Sequence, residues 1–225
     1  YSWMKKKIYP KVYCVSVPNS MDTKVYMTWG CNAMYMPHLV TYKAIECNDL
    51  RSKVVLNVGR LTDDKQQDKL IEMWSKVKNR NGWELLIVGD GENKKKLENM
   101  IKSLGLENSI KLLPAQKDIE SIYKKASLFA FTSRSEGFGM VLVEAMSFGI
   151  PCISFDCPSG PRDIVGDGIN GYLIKNGDTD DFILKLERLV NMPDEDMDAL
   201  GRGAFDTVRS WDNDRILEQW RSVFS

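Results

Sequence analysis

The sequence predicts an α/β fold: a parallel sheet of about six strands with helices on both faces. Short apolar runs recur at 54–58, 84–88, 110–113, 127–131, 152–155 and 171–174. Between them lie segments whose apolar residues repeat at helical spacing. Turn residues stand directly after the runs, at Gly59, Gly89, Pro114, Ser133 and Cys157. Strands alternating with helices in this rhythm pair in parallel, and such sheets bind ligands beyond the carboxyl ends of their strands. Those turns are therefore where chemistry is expected.

Taken in order, residues 12–17 alternate into a strand closed by Pro18. Asn19 and Ser20 are capping residues for a helix reaching about Trp29 and stopped by Gly30. Residues 33–36 form a short strand before Pro37, and the polar stretch 41–53 reads as a connecting loop. After the 54–58 strand, a helix near Gln67 sets Leu70, Ile71, Trp74 and Val77 on one face. A second helix spans 93–104 and ends at Gly105, and a third lies near 117–124. The tail carries helices at 178–191, 194–208 and 211–224, the first burying Phe182, Ile183, Leu186 and Leu189 and the last presenting Ile216, Leu217 and Trp220. Trp74 and Trp83 read as core residues.

Composition narrows the class. A chain of 225 residues can bury one sizeable core, with or without an appendage. Its 31 basic and 31 acidic residues cancel, so no global field argues for nucleic acid or a strongly acidic partner. Five cysteines, odd in number and without paired metal spacing, read as free thiols of a reducing compartment, with Cys152 and Cys157 buried. His38 is the single histidine, which argues against a histidine metal site or a catalytic triad. No apolar run approaches the roughly 20 residues of a membrane span, and the N-terminus does not resemble a signal peptide. The expectation is a soluble, cytoplasmic domain. Tyr1 opens mid-pattern with Lys5, Lys6 and Lys7 close behind, as expected of a piece of a longer protein.

The stretch 133–174 carries the densest information. A buried strand leads into Ser133-Arg134-Ser135-Glu136-Gly137-Phe138-Gly139-Met140, followed by Val141, Leu142, Ala145, Met146 and Phe148 at helical spacing, with Gly149 and Pro151 as stops. A strand, a glycine turn and a helix start together make an anion cradle, because the first helical amides lack partners and the dipole adds positive charge. Gly137 and Gly139 would let a ligand approach the backbone closely. Glu136 and Glu144 flank the cradle. Phosphate would repel either acid, whereas an ionised carboxylate can accept two vicinal hydroxyls. A ligand ordered sugar, diphosphate, ribose fits; the bland alternative is a helix whose first turns hold an acid, as the dipole favours.

Glu136, seven residues and then Glu144, with Gly137-Phe138-Gly139 after the first acid, resembles the donor-site signature of glycosyltransferase family 4. The likeness continues through Pro151, through Cys157-Pro158-Ser159-Gly160-Pro161-Arg162-Asp163, and through Asp167-Gly168-Ile169-Asn170-Gly171-Tyr172. The resemblance implies a retaining enzyme of GT-B architecture, of which this chain supplies the C-terminal, Rossmann-like donor half. It implies residues 1–36 as a remnant of the acceptor-side domain, 37–53 as linker, 54–210 as the nucleotide-sugar-binding domain and 211–225 as a helix crossing back. The crossover carries Pro37-His38 where the family has Pro-Asn.

By the same resemblance, Glu136 takes donor-sugar hydroxyls at the reacting face, and Glu144 takes the ribose hydroxyls. Arg60, Lys65 and the amides at Gly139 and Met140 hold the diphosphate, Gly137 and Phe138 complete the turn, and Leu113 and Pro114 lie by the nucleotide base. The family usually has glycine after the lysine; here it is Gln66. The alternative for Lys65 is pairing with Asp63, Asp64 or Asp68 on the surface. Gly89-Asp90-Gly91 invites a dinucleotide reading, but Lys94 stands where the third glycine is needed, so nicotinamide and flavin cofactors are set aside. The implied substrate is a nucleotide diphosphate sugar, UDP-linked, without a required metal or other cofactor. The acceptor is a glycan or lipid-linked glycan held by the other domain, with the full-length protein at the inner membrane face and this fragment inactive alone. A non-catalytic nucleotide-sugar-binding module and a GT-B-shaped UDP-sugar epimerase stay open beside it.

Overall fold

A computed structural model describes residues 2–43, 46–211 and 213–224. The first segment carries helix α1 (Ser2–Ile8), a 3-10 turn (Tyr9–Lys11), strand β1 (Val15–Val17), helix α2 (Ser20–Thr28) and strand β2 (Ala33–Tyr35). The two strands pair in parallel as a sheet of their own. Asn19 caps α2 as expected, its side chain accepting from the Asp22 amide at 2.7 Å. The strand expected over 12–17 shortens to three residues. Pro10 lies in the 3-10 turn, Val12 and Tyr13 are exposed, and β2 offers only three partners. Helix α1 had no apolar periodicity to announce it. Its lysines fall in the last turn, where the helix dipole favours cations, with Lys6 over the Trp29 ring and Lys7 over Trp3.

The remainder is a six-stranded, all-parallel sheet of β3 (Val54–Val58), β4 (Glu84–Val88), β5 (Ile110–Leu113), β6 (Leu128–Phe131), β7 (Cys152–Asp156) and β8 (Gly171–Lys175). Their spatial order is β5-β4-β3-β6-β7-β8, so the winding reverses between β3 and β6. In doubly wound sheets the ligand crevice opens at that reversal, outside the carboxyl ends of the two strands.

Period-two alternation splits the core between the two faces. Val55, Leu128, Ala130, Ile153 and Phe155 face α3 (Gln67–Lys76), α4 (Lys94–Ser103) and α8 (Thr179–Val190), where Trp74, Leu97 and Phe182 are buried. Leu56, Phe129, Phe131 and Cys152 face α6 (Met140–Met146) and α9 (Asp194–Arg209), where Leu142, Met146, Ala204 and Val208 pack. Each large side chain buried this way contributes about 1.5–3 kcal/mol. Trp74 is fully buried and Trp83 nearly so, as expected of core residues.

The helix expected over 117–124 contracts to α5 (Glu120–Tyr123), because residues 114–118 are exposed and Asp118 accepts from the Ser121 amide just before it. A short α7 (Pro161–Ile164) follows β7, and α10 (Asn213–Phe224) ends the chain. The connecting stretch after Pro37 is irregular where described, residues 44 and 45 lying outside the described set. It is pinned by Val40 to Asn213, Asn48 to Phe148 and Tyr123, and Arg51 to Asp194 and Asp198. On α10, Ile216 is buried, Trp220 half-buried, and Phe224 81 % exposed with its ring stacked on Trp220. Among the described residues all five cysteines are free, and no helix is long and apolar enough to cross a membrane.

Candidate functional site

The loop after β3 is built from tight turns. Leu61 N–H donates to the Asp90 carbonyl at 2.9 Å, Thr62 to Arg60 at 3.0 Å and Lys65 to Thr62 at 3.1 Å. Gly89 is required at the neighbouring strand end, since a Cβ there would collide with the Gly59 carbonyl. The Gly89-Asp90-Gly91 turn therefore braces the Arg60 loop. Gln67 extends the brace, its amide nitrogen donating to the Arg60 carbonyl at 3.0 Å.

Gln66 explains why glycine suits the position after Lys65. Its backbone is left-handed, with φ 53° and ψ 39°, a conformation glycine adopts without strain. A buried side chain offsets that strain. With its amide nitrogen toward β6, Gln66 donates to the Thr132 carbonyl and accepts from Lys69 Nζ, each at 3.0 Å. Thr132 Oγ1 donates in turn to the Lys65 carbonyl at 3.0 Å, tying the β3 and β6 loops together. Arg134 N–H adds a bond to the Asp64 carbonyl at 2.7 Å.

These ties bring two of the expected residues into contact. Lys65 Nζ forms an ion pair with Glu136 Oε1, and both side chains are mostly shielded from solvent. The surface alternative for Lys65 does not form: Asp63 accepts from Asn93 and Asp68 pairs with Lys96. Arg60, at the end of β3, is exposed and makes no ion pair among the described residues. Cys157 is buried beside this pair, and burial first, then the Glu136 charge, push its thiol up to about 12. It is therefore held as a neutral thiol.

The turn after Glu136 is anchored from across the chain. Glu136 N–H donates to the Pro158 carbonyl at 3.2 Å, and Asn19 Nδ2 donates to the Gly137 carbonyl at 3.0 Å. Nearby, Ser159 Oγ donates to Asp22, and the Ser20 amide donates to Asp163 at 2.6 Å. Arg162 forks onto Asp156. Asp163 and Arg162 thus serve the scaffold.

Gly139 begins α6 with φ 99° and ψ 46°, which excludes a side chain without strain. Gly137 is exposed, with open space where a Cβ would stand. Phe138 turns its ring into the core against Trp211 and His38. Helix α6 spans seven residues, so anion affinity there would rest on the first free amides, at Gly139 and Met140, more than on a long dipole.

Glu144 lies half-buried further along α6, without an ion-pair partner among the described residues. It accepts from Tyr123 Oη at 2.9 Å. Leu113 and Pro114 close β5 on the far side of β4. There the Leu113 carbonyl accepts from Gly89 N–H at 3.0 Å, and Asp90 accepts from the Ala115 amide at 2.8 Å. That bond, with Lys94 nearby, holds the Asp90 carboxyl below its usual range. Tyr123, Thr132, Gln67 and Asn19 were not read as site residues from the sequence. Tyr123 reaches its partner through a side-chain hydrogen bond, and the other three through bonds to backbone carbonyls. Among the described residues no cluster of three metal-ligating side chains stands together.

The chain resembles known proteins in sequence and in fold. A relative named amylovoran biosynthesis glycosyltransferase AmsD, from Erwinia amylovora, is 35 % identical over 76 % of this chain and 48 % of its own length. The lipopolysaccharide 1,6-galactosyltransferase of Salmonella typhimurium is 38 % identical over 61 % of this chain and 40 % of its own. Among solved structures, S. aureus TarM in complex with fondaparinux, alpha-GlcNAc-glycerol and UDP superposes with a TM-score of 0.89 at 26 % identity, over 100 % of this chain and 46 % of that one. The chain spans about half the length of the curated relatives it matches. The family profile described as glycosyl transferases group 1 matches residues 41–206, and with most of the six-stranded domain inside that match the chain belongs to this family.

Proposed function

We propose that this chain is the donor-binding half of a retaining, family 4 glycosyltransferase. It carries a sugar from a UDP-linked donor to a glycan or lipid-linked acceptor in polysaccharide or glycoconjugate assembly. One observation supports the reading most: beyond the two strands where the order reverses, the Lys65 ammonium pairs with the Glu136 carboxylate, with the exposed Arg60 guanidinium on the same loop as Lys65 and a second carboxylate on the helix that follows. The UDP reading draws on TarM, whose solved structure holds UDP.

In this account Arg60 and Lys65 receive the diphosphate, Arg60 as a fork and Lys65 as a point charge. As the glycosidic bond breaks, negative charge grows on the leaving diphosphate, and fixed cations stabilise it without reorganising. The amides at Gly139 and Met140 add donors. Lys65 and Glu136 neutralise each other in their ion pair. An arriving diphosphate competes for the ammonium and releases Glu136 to accept sugar hydroxyls, the one side of the ligand where a carboxylate is not repelled. Glu144 receives the ribose, and the Leu113–Pro114 backbone flanks the base. Residues 1–36 represent the edge of the acceptor-side domain, 37–53 the linker and 211–225 the returning helix. The acceptor site lies outside this chain.

Calorimetric titration with UDP, GDP and ADP, with and without magnesium, tests the reading. The expected result is a preference for UDP that magnesium leaves unchanged. Failure of the full-length protein to bind any of the three would overturn the donor-site reading. Robust transfer by the 225-residue chain alone would overturn the placement of the acceptor site elsewhere.

A further inference from the structure

Tyr123 ends α5 and is fully buried, yet its hydroxyl reaches the rim of the site. Its ring stacks on Phe148 at 5.5 Å and 9°, and lies 6.2 Å from Phe129. Its carbonyl accepts from Asn48 Nδ2 at 2.7 Å, which fixes the backbone end. So held, Oη donates to Glu144 Oε2 at 2.9 Å. Burial first, and the Glu144 charge second, raise this phenol well above its usual range, so it stays a donor. Tyr42 packs nearby, its ring 5.3 Å from Phe148, but donates no hydrogen bond to the acid. A glutamate side chain on a helix has three torsions to fix, and a carboxylate has acceptor sites to spare after one bond.

We propose that Tyr123 is a positioning residue: it holds one oxygen of Glu144 so that the remaining acceptor sites face the ribose hydroxyls. This rests on the ribose reading of Glu144. The phenol touches no ligand and acts through the acid alone.

The test is titration of the parent chain, Tyr123→Phe, Glu144→Gln and the double variant with UDP and with 2′-deoxy-UDP. Thermal unfolding alongside checks that the phenyl ring preserves the stack. The expected result is that the parent prefers UDP, and that Tyr123→Phe weakens UDP about threefold to tenfold, the size of one net hydrogen bond. Binding of 2′-deoxy-UDP should weaken less than that of UDP, since one of the two hydroxyls that sense the positioned acid is gone. In the Glu144→Gln background the tyrosine change should add little. Equal losses for both nucleotides, or a full loss in the Glu144→Gln background, would overturn the proposal and leave the ribose reading standing. A parent chain that binds neither nucleotide, or binds both equally, would overturn the ribose reading and the proposal together.

Discussion

Glu136 and Glu144 are both half-buried acids flanking one turn, but the protein holds them by different means. Glu136 sits on irregular backbone, tied to the Pro158 carbonyl, with its charge spent on Lys65. Glu144 sits on a helix, has no cation beside it among the described residues, and is oriented by a neutral phenol from the core. On the proposed reading the first acid exchanges partners, because a doubly charged diphosphate would compete for the same ammonium. The second has a buried phenol as its partner, which on the same reading a nucleotide would not displace. On that reading electrostatics prepares one end of the site and packing the other.

Substitutions can break or sharpen this contrast. The largest effect is expected from Arg60→Ala, which removes a charge-assisted fork and should weaken UDP about 10-fold to 100-fold in calorimetry. Lys65→Ala should weaken UDP as well. It also strands the shielded Glu136 carboxylate, so unfolding should show a loss of about 1–3 kcal/mol that Arg60→Ala does not share. Glu136→Gln should act in the opposite direction on UDP, leaving affinity unchanged or up to about threefold tighter as Lys65 is released, while UDP-sugar binding falls. A tenfold loss of UDP affinity in Glu136→Gln would break the contrast. The smallest effect belongs to Gln66→Gly. Relief of left-handed strain and loss of the buried amide oppose each other, so stability measured by denaturant should move by less than about 1 kcal/mol.

The six strands and the helices between them were legible because alternation and helical periodicity report burial directly. Gly59, Gly89 and Ser133 marked the strand ends, and the reversal of strand order puts the Arg60 and Glu136 loops side by side. The Lys65–Glu136 contact was not legible, because the competing aspartates are adjacent in sequence and Glu136 is not. Phe138 stood within the turn motif, yet its ring belongs to the core; a motif gives positions and leaves side-chain direction open. Tyr123 was hidden for a related reason. An isolated tyrosine before a strand reads as core, and only packing shows its hydroxyl arriving at Glu144. Helix α1 escaped notice because a run of lysines carries no apolar period.

The most direct test of the central claim is a crystal structure of this chain with UDP. The account predicts the diphosphate beyond β3 and β6, within hydrogen-bond reach of Arg60 and of Lys65, with the Lys65–Glu136 pair opened and the ribose hydroxyls on Glu144. A nucleotide bound elsewhere, or one that leaves the Lys65–Glu136 pair intact with its phosphates in solvent, would contradict it.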